Sequence, residues 1–179
     1  APAHDAMTAA GCRWGVSWDL ETPLYFAPNK KFEENLTLKR SNAHEIVAEE
    51  CKAIREGVGL LDITGFSRFE VTGDKAEVWL DQIFSTKLPK PGRARLAVML
   101  SETGKLKGDL TLLNWGDGKY WIMGSYYLRA WHMRWFNEHM QNDVNVRDLG
   151  EEFCGFAVVG PKSKPVSYTH LTLPTSVIV

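Results

Sequence analysis

Apolar residues recur at helical spacing in some stretches of the chain and alternate with polar ones in others. Val47, Cys51, Ile54 and Val58 line up along residues 44–57, with Glu49, Glu50, Lys52 and Arg55 around them and Gly57 and Gly59 as stops. That pattern predicts an amphipathic helix. A second helix is predicted from Asp74, where Glu77 suits a capping box and Ala76, Trp79, Leu80 and Ile83 form an apolar stripe. A third is predicted over 127–140 with Leu128, Trp131 and Trp135 on one side, and a short one over 3–10 before Gly11. Residues 60–62 and 68–72 read as strands; in the latter Phe69 and Val71 share one face, Arg68 and Glu70 the other. Residues 95–100, 106–113 and 120–124 read as a three-stranded meander with turns at 102–105 and 116–118. Further strands are predicted at 144–148 and 153–159. Residues 14–28 are aromatic (Trp14, Trp18, Tyr25, Phe26), are punctuated by Pro23 and Pro28, and read as irregular chain. Residues 29–42 read as a polar loop. Antiparallel hairpins with intervening helices indicate an α+β fold, a β-meander with packed helices.

Composition changes this picture little. The chain has 179 residues, 44% hydrophobic and 24% charged, with a net charge of −1. Those values suit a globular domain and give no field of one sign to attract nucleic acid or an anionic membrane surface. No apolar run reaches the length of a membrane span, and residues 1–11 have no signal-peptide pattern. The first residue is not Met, so a start inside a longer protein is expected. Cys12, Cys51 and Cys154 are scattered, which argues against a disulfide framework or a zinc site and for buried or inert thiols.

The candidate chemistry is sparse. No dinucleotide fingerprint, Walker sequence or nucleophile elbow occurs. His132 and His139 are seven residues apart on one predicted helix, with no third ligand, and read as surface or satisfied histidines rather than a metal site. Trp131 and Trp135 read as core rather than a stacking platform. Asp109 stands in the middle of a strand, where Asp is disfavoured. Alternation groups it with Lys107, Thr111 and Leu113, opposite Leu106, Gly108, Leu110 and Leu112. Two explanations stay open: a solvent face, or a carboxylate directed into a pocket beside Thr111. Gly108 and Gly124 would let a ligand approach the backbone.

Several ordered motifs carry a resemblance. Gly57-Val58-Gly59-Leu60-Leu61-Asp62-Ile63-Thr64, with the preceding Ala43-His44-Glu45 to Ala53-Ile54-Arg55-Glu56, resembles the segment around the first long helix of the glycine-cleavage aminomethyltransferase family. Ser101-Glu102-Thr103-Gly104-Lys105-Leu106-Lys107-Gly108-Asp109-Leu110-Thr111 resembles that family's folate-site hairpin, and Trp121-Ile122-Met123-Gly124-Ser125 its next strand. Val159-Gly160-Pro161-Lys162-Ser163 resembles the strand end and helix start beyond. The aromatic segment from Trp14 to Pro28 is similar to the connection between the flavin and folate parts of the dimethylglycine and sarcosine dehydrogenase branch. Gly108-Asp109, where the glycine-cleavage enzymes carry Asp-Asp, also favours that branch.

The resemblance implies a tetrahydrofolate-binding domain with Asp109 as its catalytic carboxylate and Asp109, Thr111, Gly124, Ser125 and Phe66 around the folate. It implies an N-methylated glycine as the source of the one-carbon unit and FAD only in an N-terminal domain outside this chain. A C-terminal barrel is implied beyond it. Residues 1–42 would be the connecting segment and 43–165 the N-terminal part of the folate domain. Pro165 is expected to interrupt the next helix, and residues 166–179 to be a non-native tail resembling translated vector sequence. The expected location is cytoplasmic in a bacterium and the mitochondrial matrix in a eukaryote. Two other readings are a non-catalytic folate-binding regulatory or assembly module and an inactive truncated fragment.

Overall fold

A computed structural model describes residues 2–17, 19–150 and 152–170. Trp18 and residues 171–179 of the expected tail lie outside the described residues. In chain order the elements are α1 (His4–Ala9), β1 (Cys12–Ser17), β2 (Leu20–Phe26), α2 (Ala43–Glu56), β3 (Gly59–Asp62), β4 (Phe66–Thr72), α3 (Ala76–Ile83), β5 (Arg93–Leu100), β6 (Leu106–Gly116), β7 (Lys119–Ser125), α4 (Arg129–Glu138), β8 (Asn145–Asp148), β9 (Phe156–Val159) and α5 (Ser163–His170). No helix among the described residues is long and apolar enough to cross a membrane. The described residues divide into two compact units, one drawn from residues 2–65 and 152–170, the other of residues 66–150.

In the first unit, β1 and β2 form an antiparallel hairpin, so the irregular segment predicted there is in fact a two-stranded sheet. Pro23 is compatible with it because it lies opposite Trp14, beside the register shift at Arg13/Trp14, in a sheet with an edge on both sides. Tyr25, Ala27 and Ala43 pack with Phe32 and Ile46 into a small core. The α2 helix is present as predicted, but its inward face differs. Val47 and Cys51 are exposed, while Ala43, Ile46 and Ile54 turn inward. Glu50 turns with them, because its carboxylate accepts the Phe26 amide at 2.8 Å and satisfies a strand-edge donor. All three cysteines are free thiols; Cys12 is buried, whereas Cys51 and Cys154 are exposed.

Strands β3 and β9 pair antiparallel. The chain leaving β9 crosses the end of α2 at backbone contact. A Cβ on Gly160 (φ +113°) would lie 2.5 and 2.6 Å from the carbonyl oxygens of Gly57 and Ile54. Pro165 does not interrupt α5. It falls in the first turn, where a missing N–H removes no intrahelical bond.

The second unit is a five-stranded antiparallel sheet in the order β5-β6-β7-β4-β8. One face carries Phe69, Val71, Ala97, Met99, Leu110, Leu112, Tyr120, Ile122 and Val146, all buried. Helices α3 and α4 cover it. The predicted α3 stripe is correct: Ala76, Trp79, Leu80 and Ile83 are all buried. Phe136 of α4 meets Phe69 and Trp79 edge-on at 5.2 and 5.9 Å. The indole of Trp79 donates to the His139 carbonyl at 2.7 Å. The capping box does not form, since α3 begins after Lys75 without a side-chain cap. A backbone turn at Gly73 takes its place, with the Ala76 amide on the Gly73 carbonyl.

The helix predicted over 127–140 is there, but rotated. It buries His132 and Phe136, and leaves Leu128 exposed and Trp131 36% exposed. Leu128 ends a separate 3-10 turn, Tyr126–Leu128, and so is out of register with the helix.

Candidate functional site

The second face of the sheet collects most of the sequence-predicted site. On β6 burial alternates strictly, with Gly108, Leu110, Leu112 and Asn114 buried and Asp109 exposed. Strand pairing sets Thr111 between Leu96 and Met123, and Met123 against Arg68. Asp109 pairs Val98 and is the next residue on that face of β6. Ser125 is the next on β7 and pairs Phe66, which is 49% exposed. Asp109, Thr111, Ser125 and Phe66 therefore share one face. Gly124 does not: it lies on the buried face.

Asp109 accepts no hydrogen bond and makes no ion pair among the described residues. An exposed strand carboxylate flanked by Val98, Thr111 and Met123 has its acceptor sites available to an N–H donor. Sequence patterning gave Arg68 a face but not its burial. It is buried at 4% exposure and donates to the Phe66 carbonyl at 3.0 Å. Its alternation with Phe69 assigned the face correctly, but nothing in the pattern marks a buried guanidinium.

The glycines serve a side chain of the protein itself. A Cβ on Gly108 would lie 2.9 Å from Nε2 of His132, and one on Gly124 would lie 2.6 Å from Leu110 and 3.4 Å from Nδ1 of His132. The imidazole therefore lies against the backbone of β6 and β7 where two side chains are missing. It is neither a surface nor a satisfied histidine. It is 1% exposed, and neither ring nitrogen has a hydrogen-bond partner among the described residues. His139, by contrast, bonds the Trp135 carbonyl through Nδ1 at 2.8 Å. An aspartate at position 108, as in the Asp-Asp pattern, would meet His132. Gly108 and His132 thus form a matched pair.

Burial pulls His132 below the ordinary imidazole value of 6.5, and the Asp109 carboxylate opposes that shift. The folded state resists a proton that the unfolded chain accepts near pH 6.5. Stability should therefore fall as pH drops through that value toward the lower folded one. Urea unfolding at pH 7.5 and 5.5 checks this, with His132→Phe expected to flatten the part due to this residue.

Lys107 departs from the alternation. The pairing shifts at Met99/Leu100, so that Met99 faces Gly108 and Leu100 faces Leu106. The Lys107 ammonium lies 4.9 Å from the Trp131 ring centre and 4.8 Å from that of Trp135. Trp131 is thus a partly exposed cation-binding surface rather than core, while Trp135 packs partly against the core.

The whole chain can be set beside known proteins. It is 27% identical to the mitochondrial pyruvate dehydrogenase phosphatase regulatory subunit of Mus musculus, over 96% of this chain and 21% of that one. It is 26% identical to the mitochondrial dimethylglycine dehydrogenase of Mus musculus, over 87% of this chain and 18% of that one. It is 29% identical to sarcosine oxidase subunit alpha of Corynebacterium sp. (strain U-96), over 80% of this chain and 16% of that one. The chain spans about a fifth of the length of these relatives. Its fold matches the glycine cleavage system aminomethyltransferase T of Bartonella henselae with a TM-score of 0.75 at 20% identity, covering 94% of this chain and 42% of that one. The model of the GCVT N-terminal domain matches residues 3–172, and the chain belongs to that family.

Proposed function

We propose that this chain is the tetrahydrofolate-binding part of a flavin-dependent N-methylglycine dehydrogenase, acting on dimethylglycine or sarcosine. The observation that carries the reading is the exposed, unpaired carboxylate of Asp109 on a sheet face that also bears Thr111, Ser125 and Phe66. This donor set suits a reduced pterin. A carboxylate accepts from ring N–H groups, hydroxyls serve the remaining polar edge, and Phe66 with Met123 offers apolar surface to a flat ring. Gly124 contributes indirectly, by admitting His132 behind the site.

Tetrahydrofolate supplies a nitrogen nucleophile that accepts a one-carbon unit at the oxidation level of formaldehyde. Asp109 orients that substrate by accepting its N–H hydrogen bonds. The carboxylate also offsets the positive charge that develops nearby and is within reach to take up a proton. In the longer protein, residues 1–42 connect from a flavin domain carrying FAD, and 43–165 form the N-terminal part of the folate domain. It works in the cytoplasm of a bacterium or the mitochondrial matrix of a eukaryote.

Similarity over 96% of the chain to a phosphatase regulatory subunit favours a second reading, a folate-binding module without catalysis. Product analysis with the full-length protein, dimethylglycine or sarcosine, and tetrahydrofolate separates the two. Methylenetetrahydrofolate is the expected product. Folate binding with no methylenetetrahydrofolate formed would favour the regulatory reading.

A further inference from the structure

Each of the two glycines that admit His132 to the sheet stands immediately before a residue of the candidate site. Gly108 precedes Asp109 on β6, and Gly124 precedes Ser125 on β7. Alternation turns the glycines toward α4 and the residues after them toward the opposite face. The imidazole therefore bears on the backbone directly behind both site residues. Met99 of β5 bounds the same hollow, since its methyl lies 3.4 Å from a Cβ built on Gly108. Phe136, one turn on along α4, faces the imidazole at 6.4 Å.

A neutral imidazole fits such a hollow at the cost of leaving its two nitrogens unpartnered. An imidazolium does not fit. It would bring a full charge and two N–H donors to a place that offers them no acceptor among the described residues. The charged groups nearby do not relieve this. On β6, Asp109 favours the charged ring, but its side chain lies on the other face, and Lys107 directs its ammonium to Trp131 and Trp135. On α4, Arg134 lies over Trp131 and Arg129 pairs with Asp148. The residues that β7 and β5 bring to the hollow, Gly124 and Met99, do not titrate. A proton on the ring therefore favours its departure to water.

We propose that His132 is a proton-sensitive positioning residue: neutral, it fills the hollow and fixes the backbone behind Asp109 and Ser125; protonated, it leaves, and the ligand face loosens. The inference rests on the reading of that face as the folate site. A site built this way holds its ligand at neutral pH and releases it on acidification, through a group that never touches the ligand.

The test is a pH titration by NMR of the whole chain without folate. It follows the His132 ring C–H signals, the amides of Gly108, Gly124 and Ser125, and the Trp79 indole N–H. The ring and the three amides are expected to share one transition with a midpoint below 6.5, while the Trp79 signal stays in place. In Asp109→Asn that transition persists at a still lower midpoint, because the carboxylate that favours the charged ring is gone. This separates it from titration of the carboxylate itself. In His132→Phe the amide transition is absent. His132→Leu, smaller and equally unable to titrate, replaces it if the phenyl ring does not fit. Amides that stay fixed while the ring titrates, or an amide transition that survives in the His132 variants, would overturn the proposal. So would a Trp79 signal that moves with them, since that reports general unfolding. Tetrahydrofolate affinity is then measured on the same proteins. In the parent it should weaken about tenfold by one pH unit below the midpoint, as the competent fraction falls. The same pH dependence in the His132 variants would also overturn the proposal. A parent chain that fails to bind at pH 7.5 contradicts the folate reading, whereas the ligand-free titration tests His132 independently.

Discussion

Trp79→Ala is expected to lower the free energy of unfolding by about 3–5 kcal/mol. The side chain is fully buried and seals α3 onto the sheet. Phe136 loses one of its two edge-to-face partners, and the His139 carbonyl loses its indole donor. Domains of this kind retain only about 5–15 kcal/mol of net stability. The variant should therefore unfold at far lower urea, with little change in the slope of the transition. Trp131→Ala, at the partly exposed position, should change stability by about 1 kcal/mol or less. Urea denaturation of the two variants side by side checks both numbers. Equal losses would mean that the two tryptophans are not buried differently.

Asp109→Asn is expected to leave the fold intact and to reduce folate-coupled product formation about 100-fold or more. Asn keeps the size and one acceptor but loses the charge, so hydrogen bonding weakens and the electrostatic contribution disappears. Asp109 has no hydrogen-bond or ion-pair partner among the described residues to lose, which is why the variant's unfolding free energy should stay within about 0.5 kcal/mol of the parent's. Single-turnover assays in the full-length protein measure the first effect and urea unfolding measures the second. A variant that forms methylenetetrahydrofolate at the parent rate would remove Asp109 from the chemistry.

These two tryptophans show where sequence patterning succeeds. Trp79 lies on a stripe of four apolar residues, and Glu77, Asp81 and Gln82 mark the opposite side, so its face was legible even though Val78 turns outward. Trp131 and Trp135 also keep helical spacing, but α4 has apolar or aromatic residues on several sides. The side that turned inward was decided by the sheet. Gly108 and Gly124 leave a hollow that fits an imidazole, and His132 takes it. No local pattern announces a hollow made by two separate strands. The α2 face was misread for a similar reason: a polar Glu50 turned inward to serve a strand edge, which apolar periodicity counts as outward.

The site was partly legible. Asp109 was visible as a residue in the wrong kind of element, and alternation assigned Thr111 to its side. That rule also assigned Lys107 there, but a register shift at the start of β6 sends its ammonium to α4. Phe66 and Ser125 came from family likeness, and strand pairing brings them together on that face. The same alternation turns Gly124 the other way, a consequence available from Tyr120 and Ile122 alone.

The central claim is that a reduced folate lies on the Asp109 face of the β5-β6-β7-β4-β8 sheet. Amide and side-chain NMR shifts recorded as tetrahydrofolate is added to the chain test it most directly. Saturable shifts should cluster at Phe66, Val98, Asp109, Thr111, Met123 and Ser125, and should vanish in Asp109→Asn. Shifts confined to α3 and the buried face, or a pattern unchanged by Asp109→Asn, would contradict it.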